Sequence, residues 1–177
     1  MLGGMDPLVA LACAGVAQAA RTGAPLEVVP ADLGSALPVG PGACFVSLHD
    51  ARGALRGCIG TLAPTRATLA EEILANAFAA ARRDRRFAPL EPGELPGLSV
   101  KVDVLSVPEP VLGLEDLDPR RYGVVVTGPR GARGVLLPDL EGIDTAEQQV
   151  RIACRKAGLA WGREAITLQR FTVERHG

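Results

Sequence analysis

One pattern constrains the fold of this chain more than any other, and it occurs twice: an antiparallel hairpin followed by a helix. Residues 43–49 (ACFVSLH) read as a strand, Asp50-Ala51-Arg52-Gly53 as a turn, and residues 54–59 as the returning strand. Further on, residues 122–127 (YGVVVT), the glycine-rich turn 128–134 and residues 135–138 (VLLP) form a second hairpin. The helix after the first hairpin starts at Thr68-Leu69-Ala70-Glu71, and the helix after the second at Thr145-Ala146-Glu147-Gln148. In both, the threonine hydroxyl accepts the N–H three residues on, and the Glu or Gln side chain reaches back to the threonine N–H. The first of these helices runs through Ile73, Ala77 and Phe78 to Arg82. The second buries Val150, Ala153, Cys154 and Ala157 and stops at Gly158. No sequence repeat accompanies the pattern.

The rest of the chain extends it. Asp6 as N-cap and Pro7 at the first helical position open a helix on which Leu8, Leu11, Ala12, Gly15, Val16 and Ala19 recur at helical spacing. Gly23 ends it, and a loop rich in Pro and Ala fills residues 24–42. Residues 98–105 (LSVKVDVL) alternate with period two, the mark of a strand with one buried face and with Asp103 on the solvent side. Pro108-Glu109-Pro110 breaks that strand, residues 114–117 make a helical turn, and residues 166–173 close the chain as one strand. Hairpins separated by helices argue for an α+β fold, an antiparallel or mixed sheet with flanking helices, rather than a doubly wound one. A length of 177 residues suits one domain spanning residues 1–177, with room for two subdomains. Only six of those residues are aromatic, so the core is aliphatic.

Charge and composition narrow the function classes. A net charge of −1 and scarce aromatics argue against a nucleic-acid surface. No apolar run approaches the ~18–20 residues of a membrane span, and the N-terminus lacks the pattern of a signal peptide. Cys13, Cys44, Cys58 and Cys154 form no CxxC pair, and His49 and His176 are the only histidines, so no metal site and no cofactor are expected. The default reading is a reduced, soluble, cytoplasmic protein.

The chemistry centres on LRGCIGTL, residues 55–62. Glycine weakens a strand, so Gly57 and Gly60 mark a bulge or a close approach to the backbone. Between them stands Cys58. Its thiolate is the nucleophilic form, and positive charge favours it. Arg56 alternates with Cys58 along the strand, and Arg86 belongs to the cluster RRDRR at 82–86. Bare amides at Gly57–Gly60, aided by Arg56 and Arg86, suit an anion. The plainer readings stand beside these. Cys58 is then a small packed residue, and the arginine cluster complements a helix C-terminus. Cys44, on the other arm, is placed as a near neighbour of Cys58. His49 lies toward the turn and not opposite Cys58, so no histidine base is evident.

LRGCIGTL (55–62), NAFAAARRDRRFAPL (76–90), VKVDVLSVPEPV (100–111), GVLLPDL (134–140) and CRKAGL (154–159) occur in an order that resembles the AMMECR domain family, also called AmmeMemoRadiSam system protein A. The likeness runs from about Pro7 to Phe171 and is strongest at LRGCIG. It implies an α+β fold with a larger and a smaller lobe, and occurrence beside a MEMO-like protein and a radical-SAM enzyme. No established activity comes with it. Residues 141–145 (EGIDT) depart from the family by being short and lacking a tryptophan. With Asn76 matching the family pattern, the ligand-binding set is Arg56, Gly57, Gly60, Thr61, Asn76 and Arg86, around a catalytic Cys58. Two functions follow: an enzyme acting through Cys58 on a small anionic metabolite, or a non-catalytic binding subunit of the radical-SAM and MEMO-like system.

Overall fold

A computed structural model describes residues 4–177. The chain forms two compact units, one reaching to Leu105 and including Glu174–Gly177, the other Ser106–Val173.

In the first unit, α1 (Pro7–Thr22) is capped by Asp6, whose carboxylate accepts the N–H groups of Leu8 and Val9, and it ends at Gly23 in the left-handed conformation. β1 (Ala43–His49) and β2 (Leu55–Gly60) form the expected hairpin. α2 (Leu69–Arg82) follows from a complete capping box between Thr68 and Glu71. With β3 (Ser99–Leu105) and β8 (Val173–His176) the sheet order is β2-β1-β3-β8. α1 and α2 cover one face of it, over Cys44, Val46, Leu48, Val100 and Val102. Gly15 lets the helices meet closely, because a Cβ there would press on Ala77 and Leu74.

The second unit holds β4 (Glu109–Val111), β5 (Gly123–Thr127), β6 (Arg133–Leu136), α3 (Ala146–Lys156) and β7 (Thr167–Phe171), in sheet order β4-β7-β5-β6. α3 carries its own complete capping box, Thr145 with Gln148, and its Val150, Ala153 and Cys154 join Val124, Val126 and Leu136 in a second core.

The architecture is α+β, as expected, and four details differ. The closing strand ends at Phe171 as β7, which pairs with β4 and β5, and a further strand not expected from the sequence, β8, runs from Val173 to His176 and joins the other sheet. The break falls at Thr172, whose N–H donates to Ser106 Oγ and whose carbonyl accepts the Ser106 N–H. Pro108-Glu109-Pro110 is not simply a break, since Glu109–Val111 is an edge strand, the place in a sheet where a proline is tolerated. The second hairpin returns two residues early, at Arg133, because Arg130 and Gly131 take positive φ values and tighten the turn. Asp103 does not face solvent. It is 7% exposed and accepts the Arg175 guanidinium at 2.8 Å. Period-two alternation put it on the correct face, but β8 brings Arg175 across that face and covers it.

Candidate functional site

The site is built on β2, the edge strand that carries residues 55–60. Its register with β1 pairs Phe45 with Gly60, Ser47 with Cys58 and Leu48 with Gly57. Directly paired residues share a face, so Gly57 points with Leu48 toward the helices, and Cys58 points with Ser47 to the opposite face. Cys44 shares the face of Val46 and Leu48, so Cys44 and Cys58 are divided by the sheet rather than neighbouring. Both glycines are required by contact. A Cβ on Gly57 would collide with the Ala80 carbonyl oxygen of α2, and one on Gly60 with the Phe45 ring and the Cys44 carbonyl oxygen. The close approach foreseen for these glycines is therefore made by the protein's own helix and strand.

An edge strand leaves backbone groups unpaired. At Cys58 they are taken by the loop that leaves α2. The Cys58 N–H donates to Asp84 Oδ2 at 2.9 Å, and Arg86 Nη2 donates to the Cys58 carbonyl at 3.4 Å. The two side chains also hold each other, Arg86 Nε to Asp84 Oδ1 at 3.0 Å and Nη2 to Oδ2 at 2.7 Å, while Oδ1 accepts the Arg86 N–H at 3.1 Å. The Asp84 side chain is 5% exposed and that of Arg86 57%. Arg86 is the main reason that Asp84 lies far below the usual carboxylate range despite its burial, with the N–H groups of Cys58 and Arg86 adding to the effect. Reciprocally, Asp84 raises the Arg86 pKa, and charge at Cys58 contributes in the same direction. The half-buried Cys58 thiol is thus within electrostatic reach of a fixed guanidinium.

Arg56 also faces a carboxylate. Its Nε and Nη2 reach Glu94 Oε1 and Oε2 at 2.7 and 2.9 Å, which pulls the Glu94 pKa down. The Phe87 ring lies 5.9 Å from the Arg56 guanidinium carbon and 5.4 Å from that of Arg86. The structure therefore gathers Arg56, Gly57, Cys58, Gly60 and Arg86 on or beside β2. Sequence reasoning singled out neither Glu94 nor the pairing of Asp84 with Arg86, and Phe87 entered it only within the motif of residues 76–90.

Thr61 and Asn76 are engaged elsewhere. Thr61 Oγ1 donates to Glu72 at 2.7 Å, and Glu72, completely buried, also accepts the Thr65 hydroxyl and the N–H groups of Thr65 and Arg66. Burial opposes ionisation of Glu72, but these donors prevail and its pKa falls. Asn76, 4% exposed, donates to the Cys44 carbonyl at 3.0 Å and sits 3.4 Å from its sulfur. Burial pushes the Cys44 thiol up to about 12. Glu72 and Asn76 were detectable: they stand one turn apart on the stripe of α2 that also carries Leu69, Ile73, Ala77 and Ala80.

His49 pairs with Leu55 and is offset from Cys58 along β1, while His176 Nδ1 lies 2.8 Å from Asp6. Among the described residues no group of three or more His, Cys, Asp or Glu side chains could hold a metal ion, no helix is long and apolar enough to cross a membrane, and no cysteine is in a disulfide.

Known proteins resemble the chain along most of its length. The AMMECR1 family model matches residues 9–176. A Thermotoga maritima protein is 54% identical over 133 residues, 75% of each chain. A Clostridium acetobutylicum protein is 42% identical over 171 residues, 97% of this chain but 36% of that longer relative. The crystal structure of an uncharacterised Pyrococcus horikoshii protein superposes with a TM-score of 0.84 at 31% identity, covering 96% of this chain and 89% of that one. A family model that matches residues 9–176 includes both units, and the chain belongs to the AMMECR1 family.

Proposed function

We propose that the chain is an enzyme in which Cys58 acts as nucleophile on a small anionic metabolite. The observation that carries this reading is the Arg86 guanidinium, fixed by Asp84, 3.4 Å from the Cys58 carbonyl and still 57% exposed. A cation in that position favours the thiolate and has N–H groups left to orient an anionic substrate. Gly57 and Gly60 keep β2 tight against its neighbours, so the thiol is held on a rigid strand rather than a loop. Thr61, just past the end of β2, is held by Glu72, and Asn76 holds the Cys44 carbonyl of the paired strand β1. The test is metabolite profiling of a deletion strain rescued with wild type or with Cys58→Ala. An accumulated anionic metabolite that disappears with wild type and persists with the variant supports the enzyme. Equal rescue by both removes Cys58 from catalysis.

A second reading, a non-catalytic subunit working with a MEMO-like protein and a radical-SAM enzyme, draws on a different observation. Both cations beside Cys58 already bind carboxylates, Arg56 with Glu94 and Arg86 with Asp84, which leaves less charge for a metabolite. Co-purification with those two proteins, retained in Cys58→Ala, is the outcome it predicts.

A further inference from the structure

Away from β2, the first unit carries a groove of about 510 Å³ along the outer flank of α2, within the range of small-molecule sites. Leu74, Ala75 and Phe78 of α2 form its apolar floor, and Pro25, Leu26 and Glu27, in the loop after α1, form one wall. Arg66 precedes the N-terminus of α2 and Arg83 is its C-cap, so the two cations stand toward opposite ends of the groove. The Arg83 guanidinium lies 4.9 Å from the centre of the Phe78 ring, which aligns a cationic plate with the floor. Among the described residues neither guanidinium has an ion-pair or hydrogen-bond partner, in contrast to Arg56 and Arg86.

Two acids, Glu27 and Glu71, line the groove as well. Glu71 accepts the N–H groups of Ala67 and Thr68, so its carboxylate is held at the helix N-terminus. Two guanidinium groups without a side-chain acceptor thus stand with one carboxylate that makes no hydrogen bond, Glu27, over an apolar floor. Arg83 is exposed, and its N–H groups, bonded to no acceptor in the protein, are open to an incoming carboxylate or sulfonate. We propose that this groove binds a small organic anion with an apolar body, its carboxylate or sulfonate on Arg83 and its ring or chain on Leu74, Ala75 and Phe78.

The test uses 8-anilinonaphthalene-1-sulfonate and its uncharged relative N-phenyl-1-naphthylamine, titrated by fluorescence into the whole chain. The sulfonate is expected to bind saturably at one site and more tightly than the neutral dye. Arg83→Gln, at an exposed helix end, weakens it about fivefold, as a partly exposed ion pair would. Ala75→Trp fills the floor and abolishes binding, with thermal melts confirming the fold of each variant. Absence of saturable binding, an unchanged dissociation constant in Arg83→Gln, or equal affinity for the neutral dye overturns the proposal. Arg83→Gln decides the matter even if Ala75→Trp does not fold.

Discussion

Replacing Asp84 with Asn tests the clamp that holds β2. The buried carboxylate accepts the Cys58 N–H through Oδ2 and the Arg86 N–H through Oδ1, and receives Arg86 Nε and Nη2 as well. An amide keeps one acceptor and turns a donor toward the other set, so in either orientation an N–H faces an N–H. A buried N–H left without an acceptor costs about 1–3 kcal/mol. Loss of the ion pair adds at most about 1 kcal/mol, because the Arg86 side chain is 57% exposed and screened by water. Asp84→Asn is therefore expected to destabilise the protein by about 1–4 kcal/mol at pH 7, a fall of about 0.5–2 M in the urea midpoint at a slope of about 2 kcal/mol/M. Arg86→Gln leaves the Asp84–Cys58 bond in place and costs about 1 kcal/mol or less. The pH dependence has a definite sign. The folded Asp84 pKa is depressed, so its contribution is complete above the unfolded carboxylate value of ~3.9 and drains as pH falls through the lower folded value. The gap between wild type and Asp84→Asn is full at pH 7 and narrows only in acid. A midpoint shift below about 0.3 M at pH 7 with an unchanged slope refutes the clamp.

Gly57→Ala drives a Cβ into the Ala80 carbonyl, a backbone atom that cannot rotate away, and is expected to cost about 2–3 kcal/mol in the same denaturation assay. Gly134→Ala does the equivalent between β6 and the Ala153 carbonyl of α3 and should match it in size; neutral behaviour at either glycine contradicts the close-approach argument. Glu72→Gln removes the charged acceptor shared by Thr61, Thr65 and Arg66, so amide exchange at residues 61–66 accelerates by about tenfold while the β1 amides stay protected; unchanged exchange in that loop counts against the assignment. Cys44, with its thiol near 12, is not alkylated by iodoacetamide in the folded protein at pH 8, and site-resolved mass spectrometry that finds it modified would place it outside the core.

The elements legible in the sequence were those specified locally. Both capping boxes, the Asp6 cap, the first hairpin and the offset of His49 from Cys58 follow from residues within a few positions of one another. What escaped depends on partners far apart in the chain. Arg56 and Glu94 are separated by 38 residues and Asp103 and Arg175 by 72, and no spacing rule links them. The end of β7 at Phe171 and the pairing of residues 173–176 with the other sheet were hidden for the same reason, since a short extended segment reads alike wherever it pairs. At the site, the glycines were legible as points of close approach. What approaches them, an α2 carbonyl and the Phe45 ring, was not.

The pH profile of Cys58 alkylation measures the electrostatic link between Arg86 and Cys58 directly. Iodoacetamide rates are followed at the Cys58 peptide from pH 6 to 10 in wild type, Arg86→Gln and Asp84→Asn, under conditions where each remains folded. Removing the cation is expected to move the profile to higher pH and slow the reaction at pH 7. Removing the neighbouring anion is expected to move it to lower pH. Opposite displacements of the two variants are the predicted result, and coincident profiles for all three proteins would contradict it.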